Sequence, residues 1–356
     1  MEKNEGRIRN LRQKMVELGL DAIYITSAEN HLYVTGFDNP DGYVFLTQNN
    51  AFMFADPRYI EAAKAEASPL CTPLEKPDLA KIVNDEDIKV VGYEDRRLTC
   101  SGFERLKSTL GDKIEYKGIG DVLTEIRSFK TRDEIENIIA AQRISEGAFH
   151  HICKVLNYDM TEIEVAAELE YYMKKHGSSK PSFDTICVSG SASSRPHGVP
   201  RPVKLEKGFL TMDYGAMVNG YHSDMTRTVV IGKADDDMKR LYNTVLKAQL
   251  EAEAAVREGV RNRDVDGIAR NIIYSAGYEG KFGHGLGHGV GLEIHELPVL
   301  NSRVDENMTL KTGQVVTVEP GIYIEGLYGC RIEDMMLVTE NGGELLTDCP
   351  KELIEL

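Results

Sequence analysis

The spacing of apolar residues separates a first third, which alternates helical and strand patterns, from a longer remainder with a repeated order. Near the start of the chain, apolar residues recur at helical spacing at Ile8, Leu11, Met15 and Leu18. Strands are predicted over 21–26, 43–46, 51–55 and 89–93, and further helices after Asp56 and over 101–110. This alternation predicts an α/β domain over residues 1–126.

The remainder begins with two helices that carry their own start signals. Thr131 and Glu134 have the spacing of a capping box, in which the Thr oxygen accepts a backbone N–H bond while the Glu reaches back. Thr161 and Glu164 repeat that spacing before a second helix, which we expect to end near Gly177. Two consecutive helices are therefore predicted before the first hairpin.

The hairpin is predicted over 209–218 and 221–231, because Asn219-Gly220 supplies the two positive-φ positions of a tight turn. The same order then recurs, in helices over 236–258 and 264–276 and strands over 315–325 and 330–339. Residues 127–356 are therefore expected to form an α+β domain of two similar helix–helix–hairpin halves.

Composition narrows the class of function. The 356 residues include 57 acidic and 42 basic side chains, a net charge of -15, which argues against a nucleic-acid partner. No apolar run approaches the ~20 residues that span a bilayer, and the N-terminus has no apolar leader, so we expect a cytoplasmic protein without a membrane partner. The six cysteines form no C-x-x-C pair, which favours free thiols.

Each predicted hairpin carries two acids where a half-buried strand should be apolar or neutral, at Asp213, Asp224, Glu319 and Glu333. A two-residue turn at Asn219-Gly220 places Asp213 opposite Thr226 and Asp224 opposite Gly215. The two aspartates are then diagonal neighbours, ~7–8 Å apart on one face. One such acid would be read as solvated, but four in a duplicated arrangement are costly unless cations lie between them.

A glycine-rich stretch over 283–291 supplies imidazoles, since His284 and His288 lie within it and His295 follows. The stretch contains no G-x-G-x-x-G phase and no H-E-x-x-H, so neither a dinucleotide loop nor a zincin is predicted. The sequence contains no G-x-S-x-G turn of the kind that carries a serine nucleophile, and no histidine can be identified as a catalytic partner for Cys187. Oxygen-rich ligation with imidazole suits Mn²⁺, Co²⁺, Fe²⁺ or Zn²⁺, and two divalent ions balance four carboxylates better than one.

These residues lie in stretches that resemble the pita-bread metallopeptidases of family M24, which include methionine aminopeptidase, aminopeptidase P, prolidase and the metal-free creatinase. The matching stretches are SASSRPHG (191–198), MDYGAMVNGYHSDMTRT (212–228), GHGLGHGVGLEIHE (283–296), VEPGIY (318–323) and RIED (331–334). NHLYVTGF (30–37) and DPRY (56–59) are similar to the additional N-terminal domain of the prolidase, aminopeptidase P and creatinase branch. The resemblance implies a pita-bread domain preceded by a smaller creatinase-like α/β domain.

Carried over position by position, the resemblance implies five metal ligands: Asp213, Asp224, His288, Glu319 and Glu333. Asp224 and Glu333 would bridge two ions, expected to be Mn²⁺, with Co²⁺, Zn²⁺ or Fe²⁺ as alternatives. The candidate catalytic residues are His197, His284 and His295, which would contact substrate or move protons, Glu319, which would shuttle a proton, and Arg331, which would steady the bridging acids.

The function implied is removal of the N-terminal residue of a peptide, with proline expected at the second position. Val299 stands where some prolidases have an arginine that clamps the free carboxylate, and only Arg303 is nearby, which favours an aminopeptidase P-like enzyme over an Xaa-Pro dipeptidase. A creatinase-like C–N hydrolase and a non-catalytic binding module are further alternatives, against which the intact ligand set argues. The resemblance also implies a homodimer.

Overall fold

The structure is a computed structural model that describes residues 3–356, with side chains from residue 5 onward. The first two residues of the segment used for the leader prediction lie outside the described part. The chain divides into two compact units, Met1–Arg127 and Ser128–Leu356. The predicted domain boundary lies one residue earlier, between 126 and 127.

A mixed six-stranded sheet forms the centre of the first unit. Its strands are β1 (Ala22–Ile25), β2 (Tyr43–Thr47), β3 (Ala51–Phe54), β4 (Thr72–Leu74), β5 (Val90–Tyr93) and β6 (Glu115–Gly118), in the order β4-β3-β2-β1-β5-β6. The helices are α1 (Lys3–Leu18), α2 (Ala28–Thr35), α3 (Ile60–Glu66), α4 (Leu79–Asp85), α5 (Cys100–Leu110) and α6 (Val122–Ser128). The α/β alternation is confirmed, but α2, α4, α6, β4 and β6 were not predicted.

The second unit begins with two helices and a hairpin, as predicted. These elements are α7 (Arg132–Val155), α8 (Glu162–Lys175), β7 (Ile186–Ser189), a 3₁₀ turn (Gly190–Ser194), β8 (Gly208–Tyr214), β9 (Met217–Val218), β10 (Tyr221–His222) and β11 (Met225–Ile231). Both capping boxes are present, at Thr131 with Glu134 and at Thr161 with Glu164. Each helix therefore starts where its local signal predicts.

The hairpin has the predicted register. Asn219 and Gly220 both have positive φ, 50° and 83°, and Thr226 pairs with Asp213. The strands are interrupted after Tyr214, however, so the two continuous strands predicted were too long. The reason is that the Ala216 amide donates to the Ser223 hydroxyl over 2.9 Å, and a side chain thus replaces part of the backbone ladder.

The second half repeats this order. It contains α9 (Asp236–Ala255), α10 (Asn262–Ser275), β12 (Gly287–Gly289), β13 (Glu296–Leu300), β14 (Val315–Val318), β15 (Gly321–Ile324), β16 (Tyr328–Arg331), β17 (Asp334–Thr339) and β18 (Gly342–Leu345). Helix α9 ends at Ala255, not at Glu258, because the buried Val256 has extended backbone with ψ 114°. The predicted strands 315–325 and 330–339 are each divided in two.

Each half of the second unit has its own apolar core. In the first half, Phe149 of α7 and Leu169 of α8 belong to one buried cluster with Met212 of β8. In the second, α9 and α10 contribute to a separate cluster that includes Val316 of β14. Fully burying an apolar side chain of this size contributes about 1.5–3 kcal/mol. The duplicated α+β architecture is thus confirmed.

Helices long and apolar enough to cross a membrane are absent from the described part of the chain. All six cysteines are free thiols, and four of them are buried, at Cys71, Cys187, Cys330 and Cys349.

Candidate metal centre

The interruptions in the two hairpins lie where the strand acids converge. Asp213 lies near the end of β8 and Asp224 immediately before β11, while Glu319 follows β14 and Glu333 precedes β17. His288 comes from β12. Asp224, Glu319 and Glu333 lie just outside the ladder and can turn their side chains inward without breaking its pairing, whereas the other two are paired strand residues. All five line one cavity of about 730 Å³.

The candidate ligand atoms are close together. Asp224, His288 and Glu333 each offer a donor atom within 4.8 Å of the other two. His288 Nε2 lies 3.5 Å from Asp224 Oδ2 and 3.4 Å from Glu319 Oε1. Asp213 Oδ1 is buried without a hydrogen-bond partner. A buried carboxylate oxygen of this kind fits a cation, since an unpaired buried acceptor is otherwise costly.

The acids repel one another in this setting. Burial raises the pKa of Asp224 well above its ordinary value, and the Asp213 charge raises it further. Burial and the Asp224 charge likewise raise the pKa of Glu333 well above its usual range. Burial also raises the pKa of Glu319 to about 8, although the Arg331 charge opposes this. Divalent cations would relieve the repulsion, so the donor set fits the predicted metals.

His288 is held in the form that a ligand requires. Burial, followed by the charge of His295, lowers the pKa of His288 to about 4, so the imidazole is neutral near pH 7. Its Nδ1 lies 3.1 Å from the carbonyl oxygen of Gly289, which can only accept. Nδ1 therefore carries the proton, and the lone pair of Nε2 faces the acids.

Arg331 connects the acids to a second chain of polar groups. Its Nη2 donates to Asp213 Oδ2 over 2.5 Å, and its Nη1 donates to the Tyr323 hydroxyl over 2.8 Å. His284 Nε2 lies 2.9 Å from that hydroxyl, while His284 Nδ1 lies 2.8 Å from the Gly285 carbonyl oxygen. Burial and the Arg331 charge lower the pKa of His284 to about 3, so this imidazole is neutral near pH 7. Because its Nδ1 donates to the Gly285 carbonyl, its Nε2 accepts a hydrogen bond from the Tyr323 hydroxyl.

The two remaining histidines lie at the cavity wall. His197 and His295 are exposed on it, and the His295 ring centroid lies 4.3 Å from that of His288. Burial and the His197 charge lower the pKa of His295. The structure thus brings all nine predicted site residues to one cavity, while their individual roles stay predictions.

Sequence reasoning assigned no role to Tyr323 or Thr226. Tyr323 lies inside the quoted stretch VEPGIY, but nothing in its spacing showed that it would meet His284 and Arg331. Thr226 was recognised only as the partner of Asp213, whereas its hydroxyl also donates to Glu333 Oε2 over 2.7 Å. The cross-strand register was a usable signal for Thr226.

The rest of the cavity wall is largely apolar, and includes Phe183, Ile186, Ile294 and Val299. Arg331 is the only lysine or arginine that lines it among residues 3–356. That guanidinium already pairs with Asp213. The cavity can therefore bind an apolar group beside the acids, but offers no uncommitted permanent cation to a carboxylate.

Two protein-family models together match nearly the whole chain. The model of metallopeptidase family M24 matches residues 136–340, and that of the creatinase/prolidase N-terminal domain matches residues 7–129. The Xaa-Pro dipeptidase of Pyrococcus furiosus is 40% identical over 98% of this chain and 99% of its own.

Two solved structures are also closely similar. An Xaa-Pro dipeptidase from Bacillus anthracis has a TM-score of 0.94 and 38% identity, covering 99% of this chain and 100% of its own. An X-Pro aminopeptidase from Thermotoga maritima has a TM-score of 0.91 and 38% identity, covering 98% of this chain and 99% of its own.

Proposed function

This chain belongs to metallopeptidase family M24, and from that premise we propose that it is an Xaa-Pro dipeptidase. As a member of that family it is a metallo-exopeptidase that uses divalent metal ions and acts on peptides. The observation that carries the proposal is the convergence of the predicted ligands on one cavity, beside an apolar wall suited to a proline ring. The named dipeptidase relatives support this specificity over the aminopeptidase P-like activity that the sequence favoured.

The ligands in this proposal are Asp213, Asp224, His288, Glu319 and Glu333. Divalent ions bound there would lower the pKa of a water molecule and polarise the scissile carbonyl. We propose Mn²⁺ as the metal, because four carboxylates and one imidazole form an oxygen-rich site.

The side chains around the ligands supply positioning and proton transfer. Glu319, partly exposed on the cavity, would take a proton from the attacking water and pass it to the leaving nitrogen of proline. His197 and His295 would donate hydrogen bonds to the substrate amide as charge develops on its oxygen. Arg331 would hold Asp213 in place through its guanidinium.

The test is hydrolysis of Ala-Pro, Ala-Pro-Ala and Ala-Ala by chelated protein resupplied with Mn²⁺, Co²⁺ or Zn²⁺. We expect Ala-Pro to be cleaved fastest, with Mn²⁺ the most effective metal, and Asp224→Asn to be inactive. Full turnover in metal-free buffer, or no cleavage of either proline peptide with any metal, would contradict the proposal.

One observation favours a second candidate, an Xaa-Pro aminopeptidase that accepts longer peptides. The free carboxylate of a dipeptide would lie in the cavity, whose only lysine or arginine among the described residues is the committed Arg331. Arg303 is exposed and does not line it. Faster cleavage of Ala-Pro-Ala than of Ala-Pro in the same panel would favour this candidate.

A further inference from the structure

A buried ion pair lies beside the loop that carries His295. Lys130 Nζ lies 2.5 Å from Glu296 Oε1, and each side chain is only 1% exposed. We propose that Lys130 and Glu296 are a positioning pair that holds the loop 291–296 so that His295 faces the substrate. The role of His295 in this inference rests on the proposed function.

The loop is folded around the Glu296 carboxylate. Glu296 Oε2 accepts a hydrogen bond from the Glu293 amide over 3.4 Å, and the Gly291 amide donates to the Glu293 carbonyl over 3.0 Å. A Cβ atom at Gly291 would lie 2.4 Å from Glu296 Oε1, so any larger residue there would have to displace the carboxylate. The conformation of the loop therefore depends on where this carboxylate is held.

Lys130 is fixed at the base of a long helix. Its amide donates to the Gly313 carbonyl over 2.8 Å, and the next residue, Thr131, begins the capping box of α7. Its Nζ also donates to the Ser128 carbonyl over 3.4 Å. Because both ends of Lys130 are bonded, its ammonium provides a fixed point for Glu296. Charges this deeply buried are retained only when each is paired.

The position of the Glu296 carboxylate determines where the neighbouring His295 side chain points. Glu296 is the first residue of β13 and pairs with Gly289 of β12. The Glu296 carboxylate is buried against Lys130, whereas the preceding side chain, His295, is exposed on the cavity. There the His295 ring lies against that of His288. Loss of the anchor would let His295 move, and displacement by about 1 Å can cost about 100-fold in rate.

A double-mutant cycle tests the inference on Ala-Pro and Ala-Pro-Ala with Mn²⁺. We expect Lys130→Met to lower kcat about 10-fold or more when His295 is present, and less than about 2-fold in a His295→Ala background. A general loss of structure would lower both backgrounds by the same factor, and that result would overturn the proposal.

Two further variants distinguish a loss of positioning from misfolding. The double variant Lys130→Met/Glu296→Gln removes both charges, so neither is left buried without a partner. We expect it to fold and to show the same fall in kcat as Lys130→Met alone. Glu253→Gln is the control, because it removes the carboxylate of a different ion pair, in which Glu253 of helix α9 lies 2.8 Å from Lys351. We expect this control to keep kcat within about 2-fold of the unmodified chain.

Amide hydrogen exchange separates this inference from the proposed function. In Lys130→Met, residues 291–296 should exchange about 10-fold faster, while they should be unchanged in Glu253→Gln. This result decides the anchoring even if the unmodified chain cleaves neither peptide, an outcome that would count against the proposed function alone. Unchanged amide exchange over 291–296 in Lys130→Met would contradict the positioning role of Lys130 and Glu296.

Discussion

Thr226 and Glu333 join the two halves of the second unit at the candidate metal centre. The Thr226 hydroxyl donates to Glu333 Oε2 over 2.7 Å, and the Glu333 amide donates to the Thr226 carbonyl over 3.1 Å. Arg331 Nε donates to the same hydroxyl over 3.0 Å. One buried hydroxyl thus orients a predicted bridging ligand and the guanidinium that pairs with Asp213.

Thr226→Val should weaken metal binding, because valine keeps the shape of threonine but can neither donate to Glu333 nor accept from Arg331. We expect Mn²⁺ affinity to fall about 10-fold, and the free energy of unfolding to fall by about 1–3 kcal/mol. Calorimetric titration of the metal-free protein measures the first, and urea unfolding the second. Thr226→Ser, which keeps the hydroxyl, should bind Mn²⁺ normally; equal affinities in all three proteins would refute the assignment.

Removal of metal should destabilise the unmodified chain, and Asp224→Asn should offset part of that loss in the metal-free protein. In the metal-free protein, buried Asp224 must either take up a proton or face the charges of Asp213 and Glu319. A neutral asparagine does neither, so metal-free Asp224→Asn should have a higher Tm than the metal-free unmodified chain.

Addition of Mn²⁺ at about 100 times its Kd should stabilise the unmodified chain by about 2.7 kcal/mol. The same addition should leave Asp224→Asn nearly unchanged. Thermal scans with and without chelator measure both effects. An Asp224→Asn protein that melts below the metal-free unmodified chain would contradict the repulsion argument.

Much of the fold could be predicted because its signals are local. The capping boxes at Thr131 and Thr161 and the turn at Asn219-Gly220 each depend on residues within a few positions of one another. The Asn219-Gly220 turn also determines the register that pairs Asp213 with Thr226. That register was sufficient to anticipate two of the acids on one face.

Other features depend on contacts that no local pattern specifies. Lys130 and Glu296 are far apart along the chain, and nothing in either neighbourhood indicates that they pair. Tyr323 is similarly ordinary in its strand until the fold brings His284 and Arg331 to its hydroxyl. The break in the first hairpin also escaped prediction, since the Ser223 hydroxyl competes there with the backbone ladder.

The first unit should lose stability in acid through His31. This imidazole is fully buried, and its Nε2 has no hydrogen-bond partner. Burial lowers its pKa from 6.5 to about 4, although the Phe37 carbonyl and the Asp38 charge oppose this. Above pH 6.5 neither state binds the proton. Between pH 6.5 and 4 only the unfolded state does, so the free energy of unfolding falls as pH decreases.

The full effect of His31 is about 3 kcal/mol. His31→Gln should therefore show a smaller difference in unfolding free energy between pH 7 and pH 4.5 than the unmodified chain. Urea unfolding at the two pH values measures this difference, with exposed His176→Gln as the control that should behave like the unmodified chain. Identical pH dependence in the His31 variant would exclude the buried imidazole as the cause.

Val299→Arg should change the preferred length of substrate. Val299 pairs with His288 across β12 and β13, and directly paired residues share a face of the sheet. An arginine there would place a guanidinium in a cavity whose only present arginine, Arg331, is occupied by Asp213. The new charge would reach the free carboxylate of a dipeptide but not the amide that replaces it in a longer peptide.

A charge-assisted hydrogen bond contributes about 1.5–3 kcal/mol, which is a factor of about 10–100. The ratio of kcat/KM for Ala-Pro to that for Ala-Pro-Ala should rise by this factor in Val299→Arg. Val299→Met adds length without charge, so in that variant the ratio should stay within about 2-fold of its original value. If Val299→Met raises the ratio as much as Val299→Arg does, the size of the side chain at this position determines the preferred peptide length. The lack of a cation for the dipeptide carboxylate would then not be the cause.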